Sequence, residues 1–301
     1  MKAIHSIYTF TNRKQYKKQT YLDMQKIEAY TLILSCAYAK RHIGEITLYC
    51  DINFYEFIKK YDLCDLWDNI DYTALENIPK DIDYSIFWTY PKMYIHSIQD
   101  EPFVALDADL YFWRNLRYHD NPSLDFIYAH PEIDNIGNQY PSFHKEERYK
   151  DIFKNLEIIE DGPNMNTAIL YCRDNSFYKE LMEITTEFAR RVSKTGKSEK
   201  YNDWVHTIFC EQRIIKSLLK KYNLKTAPQY DIPFYVHSCV EQENDRDFKL
   251  SDGDIFHLWG LKNKIGSRHK IRLEDQLCYE IIKEFPYYQH YIEIFKKNLK
   301  K

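Results

Sequence analysis

The sequence has no CxxC pair and an odd number of cysteines. Its seven (Cys36, Cys50, Cys64, Cys172, Cys210, Cys239 and Cys278) stand far apart. That argues against a disulfide framework and against a cysteine-based zinc site. They read as reduced, mostly buried thiols of a cytoplasmic protein. No charge dominates either: 42 Lys and Arg face 45 Asp and Glu, a net charge of -3, whereas a nucleic-acid binder shows a basic surplus. No apolar stretch nears the ~18 residues of a membrane-spanning helix. The short apolar run Ala3–Phe10 gives way to polar Thr11–Gln19 too soon for the core of a signal peptide. Internal repeats and low-complexity linkers are also missing.

What is present fits one folded unit. A length of 301 residues suits a single large α/β domain, and 44% hydrophobic residues suffice to build its core. The 27 tyrosines and 17 phenylalanines are spread along the whole chain, so they mark composition more than a sugar-stacking platform. The basic end Lys296–Lys301 reads as a solvated tail or, more sharply, as weak peripheral contact with an anionic membrane surface at its inner face.

Strand and helix patterns alternate through the first half. Ala3–Thr9 and Glu45–Asp51 read as strands. Thr20–Asp23 reads as a capping box, ahead of helically spaced Ile27, Tyr30, Ile33, Leu34, Ala37 and Tyr38. Phe54–Lys60 and Met93–Ile98 read as helices, Ser85–Trp88 as a short strand, and Pro102–Leu106 as a strand buried on both faces. Further strands are expected at Asp125–Ala129, Asn166–Cys172 and Asp254–Trp259. Helices capped by Asp174 and Asp203 follow the second of these, and a helical C-terminal part is broken at Pro286. The order predicts an α/β fold with a mostly parallel sheet flanked by helices, which binds ligands at the carboxyl ends of its strands.

The strongest motif lies at such an end. Phe103–Leu106 runs into Asp107-Ala108-Asp109. Residues i and i+2 of a strand share a face, so the two carboxylates are expected to meet there. Crowded like charges resist ionising unless a cation joins them, and a hard divalent ion that also grips phosphate fits. The plainer alternative is two solvated, turn-forming aspartates. A second motif is His257, closing a short apolar strand, followed by Gly260 and Lys262. The imidazole suits the same metal, Gly260 allows close backbone approach, and Lys262 can set its charge on a diphosphate. Taken singly, His257 is equally a satisfied strand-end histidine. Glu211 and Gln212 interrupt an apolar helical stripe, so Glu211 either pairs structurally, as with an arginine, or faces a polar cavity. Asn164 and Asn166 precede an apolar strand. Their amides suit sugar hydroxyls, while turn chemistry accounts for Asn164.

Together and in this order, the four motifs resemble the GT-A fold glycosyltransferases. They are most similar to the family of glycogenin and the bacterial lipopolysaccharide galactosyl- and glucosyltransferases. That family has an Asp-x-Asp triplet after an apolar strand, an Asn-x-Gly at a strand start, an Asp-Gln pair on a helix, and a late His-x-x-Gly-x-x-Lys. Asp107, Asp109, Asn166, Gln212, His257 and Gly260 match. Ala168 stands for the glycine, Glu211 for the aspartate, and Lys262 comes one residue early. The resemblance runs from about residue 3 to 263.

It implies a GT-A type (Rossmann-like) domain over 1–301. Within it, 1–130 would be a nucleotide-binding half, 131–265 an acceptor and sugar half, and 266–301 C-terminal helices. It also implies a nucleoside diphosphate sugar donor, UDP-linked, with Mn²⁺ or Mg²⁺ held by Asp107, Asp109 and His257. Tyr8, Thr9 and Asn12 would lie near the nucleotide. Lys92, Asp107, Asn166, Gly260 and Lys262 would contact the donor. Glu211, Gln212 and Lys262 would serve the transfer to a glycan or lipid-linked glycan acceptor in bacterial surface polysaccharide synthesis, with Glu211 as general base if configuration inverts. Two other readings stand beside this one. The first is a haloacid-dehalogenase-like phosphohydrolase with Asp107 as nucleophile and Asp252-Gly253-Asp254 as its late acidic motif. The second is a non-catalytic sugar- or nucleotide-binding relative.

Overall fold

A computed structural model describes residues 1–9, 24–118, 121–133, 140–196, 202–231, 234–235, 255–258 and 267–298. Four parallel strands form one side of the main sheet: β1 (Lys2–Ile7), β2 (Ile46–Cys50), β3 (Asn69–Asp71) and β4 (Phe103–Leu106). Beyond β4 lie β7 (Asn164–Cys172), β6 (Phe126–Ile133) and β8 (Thr226–Pro228), in the order β3-β2-β1-β4-β7-β6-β8, and β9 (Phe234–Tyr235) also pairs with β6. Among the described strands of this sheet, β7 alone runs against its neighbours. The sheet is thus mostly parallel and flanked by helices, an α/β fold as the alternation predicts. A separate antiparallel pair joins β5 (Leu110–Phe112) to β10 (Ile255–His257).

Helices α1 (Lys26–His42), α7 (Ser267–Glu284) and α8 (Gln289–Asn298) cover one face of the sheet. Helices α3 (Tyr90–Ser97), α4 (Tyr178–Thr195) and α6 (Ile215–Lys221) cover the other. α2 (Ile52–Lys60) follows β2, and α5 (Trp204–Ile208) joins α6 through a π-helical segment, Phe209–Ile214. α1 is buried almost all round, from Ala29 to Ala39, because the sheet lies under it and α7 and α8 lie over it. Tyr38 stacks on Tyr111 with 5.5 Å between ring centroids. Its hydroxyl donates to Glu280 of α7, which also accepts from Trp113 Nε1 at 2.9 Å. Among the described residues no helix is long and apolar enough to cross a membrane, and the six described cysteines are free thiols.

Several local expectations are corrected. Ser85–Trp88 is turn, not strand. Asp83 takes the Ser85 amide on its side chain and the Ile86 and Phe87 amides on its carbonyl, which curls the segment so that Ile86 and Phe87 both bury. Asp174 does not cap α4. It accepts from Ser176 N, and the helix opens later, at Tyr178. Asp203 precedes α5, but its side chain makes no cap hydrogen bond. Asn164 is the first residue of β7 rather than a turn residue, and it is buried. The capping box Thr20–Asp23 lies outside the described residues, and α1 opens at Lys26 with the Glu28 side chain accepting from Gln25 N at 2.9 Å.

Candidate metal centre

The four buried residues of β4 end at Leu106, and the next four form a tight turn, with Leu110 N donating to Asp107 O at 3.1 Å. The two carboxylates therefore converge through a turn. They do not sit on one face of a strand, contrary to the i, i+2 expectation, because β4 ends before Asp107. The Asp107 amide is fixed to Ala168 O of β7 at 2.8 Å. Asp109 is fixed from the other side, its carbonyl accepting from Leu258 N at 2.9 Å. β10 pairs with β5 in a register that sets His257 opposite Leu110, which delivers the imidazole to the triplet. One ligand atom each from Asp107, Asp109 and His257 lies within 4.8 Å of the others, and all three residues are partly exposed. His257 Nε2 is 3.6 Å from Asp109 Oδ1.

Charge at this point is mostly negative. Two carboxylates so close repel by about 3 to 4 kcal/mol at an effective dielectric near 20, and Lys92 and His257 offset part of that. Lys92 Nζ stands 2.7 Å from Asp107 Oδ1 and 2.5 Å from Glu211 Oε1. Burial opposes its charge, but Asp107 and Glu211 outweigh burial and hold its pKa above the ordinary lysine value. Burial pushes the Asp107 carboxyl up against the pull of Lys92, and the neighbouring Glu211 and Asp109 push it further. For His257 burial works downward, yet Asp109, then Asp107 and Glu132, raise its pKa overall. Two carboxylate oxygens and one imidazole nitrogen, crowded and short of positive charge, fit a divalent ion such as Mn²⁺ or Mg²⁺.

The π-helical segment supplies the next layer. Glu211, Gln212 and Arg213 are consecutive and all buried. A π turn, a rare form that collects at functional sites, admits the extra residue this requires. Glu211 faces Lys92 and accepts from Thr167 Oγ1 at 2.7 Å, so its partner is a lysine and a threonine rather than an arginine. Gln212 faces Glu132 of β6, a buried acid that sequence reasoning missed. The Tyr140 hydroxyl lies 2.8 Å from Glu132 Oε2 and 2.5 Å from Gln212 Oε1, while Gln212 and Asn166 also hydrogen-bond Glu132. Burial raises the Glu132 pKa, and those bonds and His257 pull against it. Arg213 Nη1 donates to Tyr140 O at 2.8 Å. Asn166 Oδ1 accepts from Ala168 N at 3.0 Å. Glu132 stands three residues past the strand expected at Asp125–Ala129, so no local pattern marked it.

Of the other expected site residues, Tyr8 and Thr9 stand at the carboxyl end of β1, beside β4. The Tyr8 ring meets Tyr84 edge-on at 5.3 Å, and burial, with the Asp51 carboxylate, pushes its pKa up to about 12. Thr9 is turned to Asp51, which takes its amide and, at 2.9 Å, its hydroxyl. Asp51 also caps α2 through Phe54 N at 3.0 Å, a second strand-end acid not singled out from sequence. Asn12, Gly260, Lys262 and Asp252-Gly253-Asp254 lie outside the described residues.

No curated protein matches this sequence. Similar solved structures include mouse xyloside xylosyltransferase 1 in its apo form, at 11% identity and TM-score 0.37, covering 85% of this chain and 97% of that one. The galactosyltransferase LgtC in complex with donor and acceptor sugar analogs is similar at 11% identity and TM-score 0.40, with 92% and 96% covered. An active-site mutant of LgtC gives 12% identity and TM-score 0.42, with 93% and 96% covered. A model of a family of unknown function, DUF6734, matches residues 1–296, and the chain belongs to that family.

Proposed function

We propose that this chain is a metal-dependent glycosyltransferase that takes its sugar from a nucleoside diphosphate donor, UDP-linked, and delivers it to a hydroxyl of a glycan or lipid-linked glycan. The observation that carries the reading is the convergence of Asp107, Asp109 and His257 at the carboxyl edge of a mostly parallel sheet. Asp107, Asp109 and His257 would hold Mn²⁺ or Mg²⁺. When bound, such an ion neutralises charge that develops on a leaving diphosphate.

The chain's own side chains divide the remaining work. Lys92 keeps Asp107 paired and adds a fixed positive charge beside the diphosphate. Glu211 anchors Lys92 and is engaged by Thr167 as well, so we place it as a positioning residue instead of a general base. Gln212, Asn166 and Glu132 form a hydrogen-bonded polar group suited to sugar hydroxyls. Thr9, pinned by Asp51, borders the nucleotide side. A phosphohydrolase with Asp107 as nucleophile has less support, because three parallel strands precede the strand that carries the triplet and Lys92 occupies the Asp107 carboxylate.

Thermal-shift screening of nucleoside diphosphates with and without Mn²⁺ tests the reading. Selective stabilisation by one diphosphate, only with metal, is expected; at one hundred times Kd it amounts to about 2.7 kcal/mol. If no diphosphate stabilises the protein in the presence of Mn²⁺, the reading is wrong.

A further inference from the structure

Three polar side chains cross the apolar layer between α1 and the sheet and end on the backbone of Asp107. His5 of β1 and Ser35 of α1 are fully buried, and Trp67 nearly so. Trp67 Nε1 lies 3.1 Å from His5 Nδ1. An indole N–H only donates, so Nδ1 must accept and the ring proton sits on Nε2. That N–H faces Ser35 Oγ at 3.1 Å. Ser35, accepting from His5, has its own proton free for Asp107 O, 3.4 Å away. Cys36 Sγ lies 3.8 Å from the same Nδ1, whose one lone pair Trp67 already engages at the shorter distance. Donation therefore runs one way, from Trp67 through His5 and Ser35 to Asp107. Burial holds the imidazole neutral, its pKa down to about 3, so the tautomer persists at working pH.

Buried polar groups are costly where apolar ones would pack, and this set has a definite end point. Thr31 of the same helix behaves differently. Thr31, one turn earlier and also buried, closes its hydroxyl back on Ile27 O at 2.7 Å, within α1. Ser35 instead reaches a different element. The Asp107 carbonyl already accepts from Leu110 N, and its amide is bonded to Ala168 O. Ser35 fills the remaining lone pair and ties the turn to α1, leaving the carboxylate little freedom beyond its own side-chain rotations.

We propose that Ser35 is a positioning residue for the metal centre, oriented by His5 and Trp67 and acting through the main chain of Asp107. This rests on the reading of Asp107, Asp109 and His257 as a cation site, and the test separates the two. Mn²⁺ affinity of the full chain is measured by calorimetry, with melting temperature recorded alongside. Ser35→Ala is expected to weaken Mn²⁺ binding about tenfold, the low end for loss of an outer-shell partner. Ser35→Thr, which keeps the hydroxyl, is expected to restore it. Thr31→Val, which loses a buried hydroxyl from the same helix, is expected to bind Mn²⁺ like the wild type whatever its melting temperature. Trp67→Phe releases the tautomer and is expected to weaken binding in the same sense; it carries the test if Ser35→Ala does not fold. Wild-type protein that binds no Mn²⁺ overturns the cation site and this inference with it. Wild-type protein that binds Mn²⁺ no better than Ser35→Ala, or Thr31→Val that loses as much affinity as Ser35→Ala, overturns the positioning role alone.

Discussion

Lys92 and Asp107 meet at 2.7 Å, so one of the three groups that would hold a cation already carries an ammonium of the chain. The pair makes opposite demands on the two ligands of the proposed site. Lys92 competes with a metal for Asp107 but adds attraction for a diphosphate. Lys92→Met is therefore expected to bind Mn²⁺ more tightly and UDP less tightly than the wild type, both read by calorimetry. It is also expected to cost about 3 to 5 kcal/mol of stability, the usual loss for a broken buried pair, because Glu211, whose side chain is 8% exposed, loses its cation along with Asp107. Parallel weakening of both ligands would refute the competition.

Asp109 faces His257, whose Nε2 lies 3.6 Å from its Oδ1. Asp109→Asn is expected to lower Mn²⁺ affinity at least tenfold while the circular dichroism spectrum and melting temperature stay close to wild type, since the residue is partly exposed in a turn. Metal-dependent hydrolysis of a UDP-sugar without acceptor should fall with it. Undiminished hydrolysis would remove Asp109 from the site.

The Tyr140 hydroxyl lies between Glu132 and Gln212 and has one proton to share, so Tyr140→Phe leaves this buried pair of acceptors one donor short. The expected loss is about 1 to 3 kcal/mol in chemical denaturation, with Mn²⁺ affinity changed far less than in Asp109→Asn, because Glu132 reaches the metal centre only through its charge on His257. A shift confined to metal binding would show that the polar group and the metal centre are not the separate layers described above.

Buried neutral histidines set an acid limit on stability. The His5 pKa is brought down to about 3 by burial, and that of His130 to about 4, burial again being the main cause. Unfolded, both titrate near 6.5. Below that pH the unfolded chain binds protons that the native one refuses, so stability is full above about pH 6.5 and falls as pH drops toward the native values. Each such imidazole contributes up to about 1.4 kcal/mol per pH unit in that window. His257, whose pKa is raised, acts in the opposite sense, strongest below 6.5 and lost as pH rises. The urea midpoint is expected to drop between pH 7.5 and 5, and to drop less in His5→Gln. An unchanged slope in that variant would mean His5 is charged in the native state.

Much of this was legible from residue order. The alternation of patterns predicts the α/β sheet, and the apolar run before Asp107 marks the strand end where the carboxylates gather. His257 suits the same metal by residue type, but nothing local ties it to the triplet, because nearly 150 residues separate the partners until the β5–β10 pairing joins them. β3 was missed because Asn69–Asp71 is short and polar, and β8 because Thr226–Pro228 ends in a proline. Glu132 and Tyr140 were missed for a different reason. Their importance lies in each other and in Gln212, contacts made across three separate elements that no local pattern announces.

The π turn at Phe209–Ile214 sets the rotational phase between α5 and α6. Each residue of a helix advances it by about 100°, so removing one here would twist α6 and β8 out of phase with α5, and Glu211 and Gln212 would no longer point at Lys92 and Glu132 together. The length of this stretch is thus under tighter constraint than the identity of its apolar members Phe209 and Ile214, which another large hydrocarbon side chain could replace.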